Sequence, residues 1–388
     1  MGKDLWKIDQ NKWIYAQMKS EYYWNEDMPD SITLDFNQSP LDFFADLIAD
    51  GDRFSYCEVN TNYRASSESM QGVDYQSYED VTGNIIYRVL RGAEDSGRGC
   101  LYRGDWFTIK QGKPVKGYIA YGCFVEGICL DKVFPNSVRD TLYHIGEQTI
   151  GYIVYNEFES YASFARSFVS LQNRGKVDNL VLDLRYNHGG YVDVCTRIAS
   201  LLVPEKYLGE IFQMHKRNKI QTEKRIKKTG GTGLDTLLFY DNVQIRQINL
   251  DLSRLYVLTT SNSASASEAL IHCLSPYMEV ITIGTTTYGK NVGSVTISDD
   301  DYKYAITPIT FQYLNACGVG VSENGIEPDI EVEDDLDHML GDLDESMLNA
   351  AIAHIEGQMP DTVKYKRKST SSYPRLIGES TIQKRNNL

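Results

Sequence analysis

No stretch of the 388-residue chain approaches the roughly 20 consecutive apolar residues that a membrane-spanning helix needs. The opening MGKDLWKIDQ lacks the apolar centre of a signal peptide. Its Met-Gly start is compatible with an export signal already removed, which would leave room for a membrane tether. Paired cysteines are also missing. The seven cysteines form no CxxC step, so neither a disulfide framework nor a zinc site is expected. No metal or cofactor is expected. Cys195 and Cys273 sit inside apolar strings, where a thiol acts as a small hydrophobe. A net charge of −14 argues against nucleic acid as the main partner, because phosphate binding needs clustered Lys and Arg. Histidine is scarce at six residues, and none stands in a Ser/His/Asp order. His188, in a glycine-flanked turn, is the only histidine that tempts as a base. No internal repeat stands out.

What is present is a normal globular composition, 42% hydrophobic with 27 tyrosines, enough to bury a sizeable core. Residues 1–58 read as helical, with Trp13, Ile14, Met18 and Tyr22 on one face and Ser39 capping a second helix. Residues 59–142 change to short alternating runs with frequent glycine, a small β-rich domain. From 143 to 360 strands alternate with helices, which implies an α/β layer architecture. Within it VDNLVLDLR and RLYVLTT are near-continuous apolar strands, as in a parallel sheet covered on both faces. Residues 361–388 are polar and basic and read as a loose tail.

Three stretches carry chemistry. SNSASASEALIHCLSP, Ser261 to Pro276, joins a buried strand to a helix, where ligands bind in α/β sheets. A serine there has free helix-terminal amides beside it, although Ser265-Ala-Ser-Glu268 also reads as a plain capping box. GTTTYGKNVGS holds one lysine, Lys290, among uncharged neighbours. A lysine base must be neutral, so its pKa must fall from ~10.4 to near 7, about 4 kcal/mol. VLDLRYNHGG ends a strand in Asp183 and Arg185, readable as an ion pair, and then in Gly189 and Gly190. Those glycines let backbone amides approach a substrate.

Together with GYIVYNEF and ENGIEPDIEV, these stretches resemble the C-terminal processing peptidases, or tail-specific proteases, family 41 of the serine peptidases. The resemblance covers roughly residues 147–350. It implies an α/β core of the crotonase and ClpP-like kind, with Ser265 as nucleophile and Lys290 as general base. It implies an oxyanion hole from Ala266 and one of Gly189 or Gly190, with Ser263 and Ser267 as bystanders. It also implies a PDZ-like peptide-binding domain at 59–142, where the Gly104-Asp105 turn resembles the PDZ stretch, and an extracytoplasmic location, periplasmic or lipoprotein. The partners are then protein or peptide substrates, recognised through their C-terminal tails. The chain departs from the pattern at Ser294, where a lysine-orienting glutamine is common, at Pro276, where an aspartate is common, and at His188. Ser294 can still hydrogen-bond an amine. These departures leave a catalytically inactive peptide-binding homologue as the alternative.

Overall fold

Three strands, NLVLD, RLYVLT and EVITIG, are apolar on successive positions, a pattern stable only when both sheet faces are covered. In the computed structural model they lie side by side as β9 (Asn179–Asp183), β12 (Arg254–Thr259) and β13 (Glu279–Gly284), parallel to one another. The structure describes residues 5–59, 74–80, 83–91, 101, 103–110, 113–120, 123–129, 139–299, 301–358, 364–365 and 375–379. These fall into two compact units. One comprises Met1–Arg64, Ile211–Leu238 and Lys290–Val321; the other comprises Ala65–Glu210, Phe239–Gly289 and Ser322–Leu388.

In the second unit the central sheet is completed by β8 (Gln148–Val154) beside β9, with β7 (Arg139–Ile145) antiparallel at its edge. On the other side β17 (Ile330–Val332) and β18 (Lys364–Tyr365) extend it in parallel. Helices α3 (Tyr161–Arg174), α4 (Val192–Leu202), α6 (Val243–Ile248) and α7 (Ala266–Leu274) are the crossovers, and α8 (Ser346–Ile355) packs on β9, β12, β13 and β17. Leu182 and Leu258 are fully buried in this sandwich, where truncation to Ala costs about 2–5 kcal/mol.

A six-stranded antiparallel sheet lies in the same unit, at the position expected for the β-rich domain. It is formed by β2 (Asp74–Glu79), β3 (Ile85–Arg91), β4 (Trp106–Lys110), β5 (Lys113–Ala120), β6 (Cys123–Cys129) and β19 (Arg375–Glu379). Two stretches of the expected loose tail are therefore strands, β18 and β19, because each finds an open sheet edge on β17 or β2. The rest of 361–388, and Cys100 with residues 92–99, lie outside the described residues. The sheet is pinned to the core by two arginines. Arg88 donates to Asp337 at 2.7 Å, and buried Arg103 donates to Leu90 O and Asp335 O at 2.9 Å, and to Tyr186 and Asp334.

The first unit departs from the expected continuous peptidase core at 143–360, since strand pairing draws 211–238 and 290–321 together with the N-terminal helices. Its four-stranded sheet runs β11 (Asp235–Leu238), β10 (Ile211–Lys216), β16 (Ile309–Leu314) and β14 (Val292–Ser294); β1 (Tyr56–Val59) pairs with β15 (Tyr304–Thr307). Helix α1 (Leu5–Glu21) buries Ile14 and Met18 with Tyr22 just beyond it, as expected, and α2 (Pro40–Ala45) starts at the Ser39 cap. Gln10 and Asn11 share the buried face because their amides hold other segments: Asn11 Nδ2 donates to Phe36 O and Gln38 O at 3.0 Å.

His215 on β10 is buried, its ring 3.8 Å from that of Phe311, and its Nε2 has no partner among the described residues. Burial first, then the Arg217 guanidinium, pushes the imidazole down to about 4, against a weaker opposing pull from Asp235. The folded state thus holds it neutral while the unfolded chain protonates near pH 6.5. Stability from this residue is complete above that pH and is lost as pH falls toward 4. The loss amounts to about 3 kcal/mol. His215→Phe should flatten this part of the stability–pH curve, measured by thermal melting at pH 7 and 4.5.

Candidate active site

The carboxyl ends of β8, β9, β12 and β13 converge on the loops 155–158, 184–191, 260–265 and 285–289. The serine-rich stretch sorts itself by burial. Ser263 and Ser267 are fully buried; their hydroxyls donate to Leu184 O at 2.8 Å and Asn187 O at 2.9 Å. Ser261 is exposed on the preceding turn, and Ser265 is half-buried at the mouth of α7. The small residues therefore serve to let two loops interleave: Ala264 N–H also donates to Asn187 O at 3.1 Å.

Ser265 has φ 56° and ψ −109°, a backbone region that belongs to glycine and costs other residues of order 1–3 kcal/mol. The cost is offset locally. Its carbonyl accepts from Ala269 N–H at 2.8 Å, and its N–H donates to Glu268 Oε2 at 2.9 Å. The carboxylate arm of the expected capping box is thus present. Glu268 does more than cap. Fully buried, it also accepts from Thr287 Oγ1 at 2.6 Å and from Gly289 N–H at 2.7 Å. One carboxylate therefore fixes the serine turn and the turn after β13 to each other. Gly289 is required there by close approach: at φ +87°, an added Cβ would lie 2.1 Å from Glu323 O.

Lys290 follows Gly289 and opens the third segment of the first unit. Its Nζ lies 5.3 Å from the centre of the Phe54 ring, and its carbonyl accepts from Tyr313 OH at 3.2 Å. Ser294 ends β14 four residues on, at an irregular step opposite Ile309.

The glycine pair is resolved by its hydrogen bonds. Gly189 lies directly against the serine: an added Cβ would sit 2.8 Å from Ser265 Cβ and 3.0 Å from Ala266 N. Yet its N–H donates to Asn187 Oδ1 at 2.8 Å. In this structure the Gly189 amide is thus engaged within its own turn, and the lack of a Cβ lets the turn pack against Ser265. Gly190 is exposed, packs on the Phe158 backbone, and its N–H has no acceptor among the described residues. Ala266 N–H, at the first position of α7, likewise has none. His188 is tied to Asn262 O through Nδ1 at 3.0 Å.

Asp183 and Arg185 form the expected ion pair at 3.0 Å, both buried. It belongs to a larger network with Glu345 at 2.8 Å and Asp334 at 2.9 Å. Sequence reasoning missed Asn187, Thr287, Glu345 and Phe54 as supports. Asn187 sat visibly in the motif, but nothing marked the other three. Among the described residues no cluster of side chains is arranged to hold a metal ion, and no helix is long and apolar enough to cross a membrane.

Ser265 thus stands strained and half-buried at a helix mouth, at the carboxyl edge of a parallel sheet, where α/β proteins bind their ligands. The chain belongs to peptidase family S41: that family's profile matches residues 149–332, and the profile of the S41 N-terminal domain matches residues 9–56. The crystal structure of a candidate S41 protease from Bacteroides fragilis is similar, with a TM-score of 0.72 and 25% identity, covering 90% of this chain and 98% of that one. The photosystem II D1 C-terminal processing protease shares the fold, with a TM-score of 0.51, 18% identity and coverage of 84% and 93%. In sequence, the carboxy-terminal-processing protease of Bartonella bacilliformis is 27% identical over 57% of this chain and 47% of its own length. The chloroplastic C-terminal processing peptidase of Tetradesmus obliquus is 26% identical over 48% and 36%. The chain thus matches about half or less of the length of these curated relatives.

Two substitutions test the site's construction. Glu268→Gln turns an amide donor toward one of three donors and should cost about 2–3 kcal/mol in urea unfolding. Ser265→Gly relieves backbone strain that Ser265→Ala retains. After the ~0.5–1 kcal/mol entropic cost of glycine, it should be the more stable of the two by about 1 kcal/mol.

Proposed function

We propose that the protein is a serine endopeptidase in which Ser265 attacks the peptide carbonyl and Lys290, as a neutral amine, takes the hydroxyl proton. The amine then returns that proton to the leaving nitrogen. The tetrahedral oxyanion is stabilised by the N–H groups of Ala266 and Gly190, which have no acceptor among the described residues. Each such donor is worth roughly 3 kcal/mol. The observation that carries this reading is the Glu268 carboxylate, which binds the amides of Ser265 and Gly289 together. It fixes the backbone of the serine and that of the residue preceding Lys290 to one group. Ser294 is proposed to orient the lysine in place of the family's glutamine. The six-stranded sheet is proposed as a PDZ-like module that takes substrate C-terminal tails by strand addition, and the protein is proposed to act outside the cytoplasm.

The test is cleavage of an unfolded protein such as reduced casein. Ser265→Ala and Lys290→Ala should each lower kcat/KM by about 1,000-fold or more, and wild-type activity should rise with pH as the amine deprotonates. Equal rates for wild type and Ser265→Ala would reject the proposal. Tail-peptide binding without Ser265-dependent cleavage would establish the inactive peptide-binding homologue instead.

A further inference from the structure

The chain is strongly acidic overall, yet residues 216–228, HKRNKIQTEKRIKK without its first residue, hold seven basic side chains against a single acidic one, Glu223. Most of this segment is α5 (Lys219–Thr229), a helix inserted between β10 and β11, and none of its residues is buried. Its base is rigid. Asn218 caps it by accepting from Gln221 N–H at 2.9 Å and donates to Ser20 O and Tyr22 O at 2.9 and 2.8 Å. Gly230, left-handed at φ 69°, ends it. The helix is thus held in place before any partner arrives, so binding incurs little ordering entropy.

The side chains select the partner. The two arginines, Arg217 and Arg225, are both engaged by Asp235. What α5 and its approach leave exposed is lysine: Lys216, Lys219, Lys224, Lys227 and Lys228. Lysines are mobile point charges without the planar fork that grips an individual carboxylate or phosphate. They suit a diffuse anionic surface better than one specific acidic motif. Between them Ile220 and Ile226 are each 42% exposed, on a helix with no apolar residue inside to justify them. Lysines on such a helix can snorkel while exposed aliphatic side chains enter a bilayer interface. From these observations we infer that α5 docks the protein on an anionic phospholipid bilayer. The acidic remainder is repelled by the same surface, so contact is confined to this helix.

The experiment is co-sedimentation of the full chain with phosphatidylcholine vesicles, with and without about one-third phosphatidylglycerol. Wild type should sediment with the anionic vesicles at low salt, ignore the neutral ones, and be largely released by about 0.5 M salt. K219E/K224E/K227E/K228E should lower the partition coefficient by about 100-fold or more. I220S/I226S should abolish whatever binding survives high salt. K176E/K206E, which changes exposed lysines elsewhere, should bind like wild type, and circular dichroism should show every variant folded. Equal sedimentation with both vesicle types, or a four-lysine variant that sediments like wild type, overturns the inference. So does wild type that ignores vesicles but is retained on polyglutamate or DNA, which would assign the helix to a different partner.

Discussion

The site depends on a carboxylate that touches no solvent. Glu268 is buried at the first turn of α7, and burying a charge is tolerable only when strong donors replace its water. Ser265, Thr287 and Gly289 supply such donors, each charge-assisted bond worth about 1.5–3 kcal/mol. Thr287 is itself fixed, since its hydroxyl accepts from Ile326 N–H at 2.7 Å. The arrangement links the ends of β12 and β13 to the segment that follows them. It also explains how a non-glycine residue stays at φ 56°. The N–H and carbonyl of Ser265 are both committed to the helix start, so relaxing the backbone would leave a buried charge short of a donor.

A second constraint holds the other wall. Asn187, fully buried, accepts from Gly189 N–H and donates to Tyr155 O at 2.8 Å, while its carbonyl receives Ala264 N–H and Ser267 Oγ. Every polar atom of that side chain is spent on geometry. The consequence is selective: Gly189 spends its amide on Asn187, and that of Gly190 has no acceptor among the described residues. This division follows from the hydrogen bonds and not from the order of the two glycines in the chain.

Much of this was legible. The parallel sheet followed from uninterrupted apolar runs such as NLVLD, the helix starts from Ser39 and the SASE step, and the Asp183–Arg185 pair from proximity along the strand. The supports were less legible, because Thr287, Glu345 and Phe54 lie far in sequence from the groups they hold and belong to common residue types. The division of 143–360 between two units was hidden for the same reason: β10 and β16 pair across about a hundred intervening residues, and no local pattern encodes that. Net charge also concealed a local fact, since a total of −14 gives no hint of the basic helix at 219–229.

The buried ion network shows why the motif DLRYN continues past the strand. Arg185 contacts Asp183, Glu345 and Asp334, and Arg103, from the turn before β4, shares Asp334 with it and donates to Tyr186. Two guanidinium groups against three carboxylates leave a deficit of positive charge, which the hydroxyls of Tyr152 and Tyr186 offset by donating to Asp183 and Asp334. Burial alone would raise the Asp334 pKa, but Arg103 and then Arg185 outweigh it and hold the carboxyl down at about 2. Because the folded value lies below the unfolded one, the contribution is present above about pH 4 and fades only as pH falls toward 2. Across neutral pH Asp334 therefore stays charged. Removing any one partner would strand a buried ion, which is far costlier than never having built the pair. That asymmetry couples three distant parts of the chain: the turn leading into β4, the loop that carries Gly190, and the segment between β17 and α8.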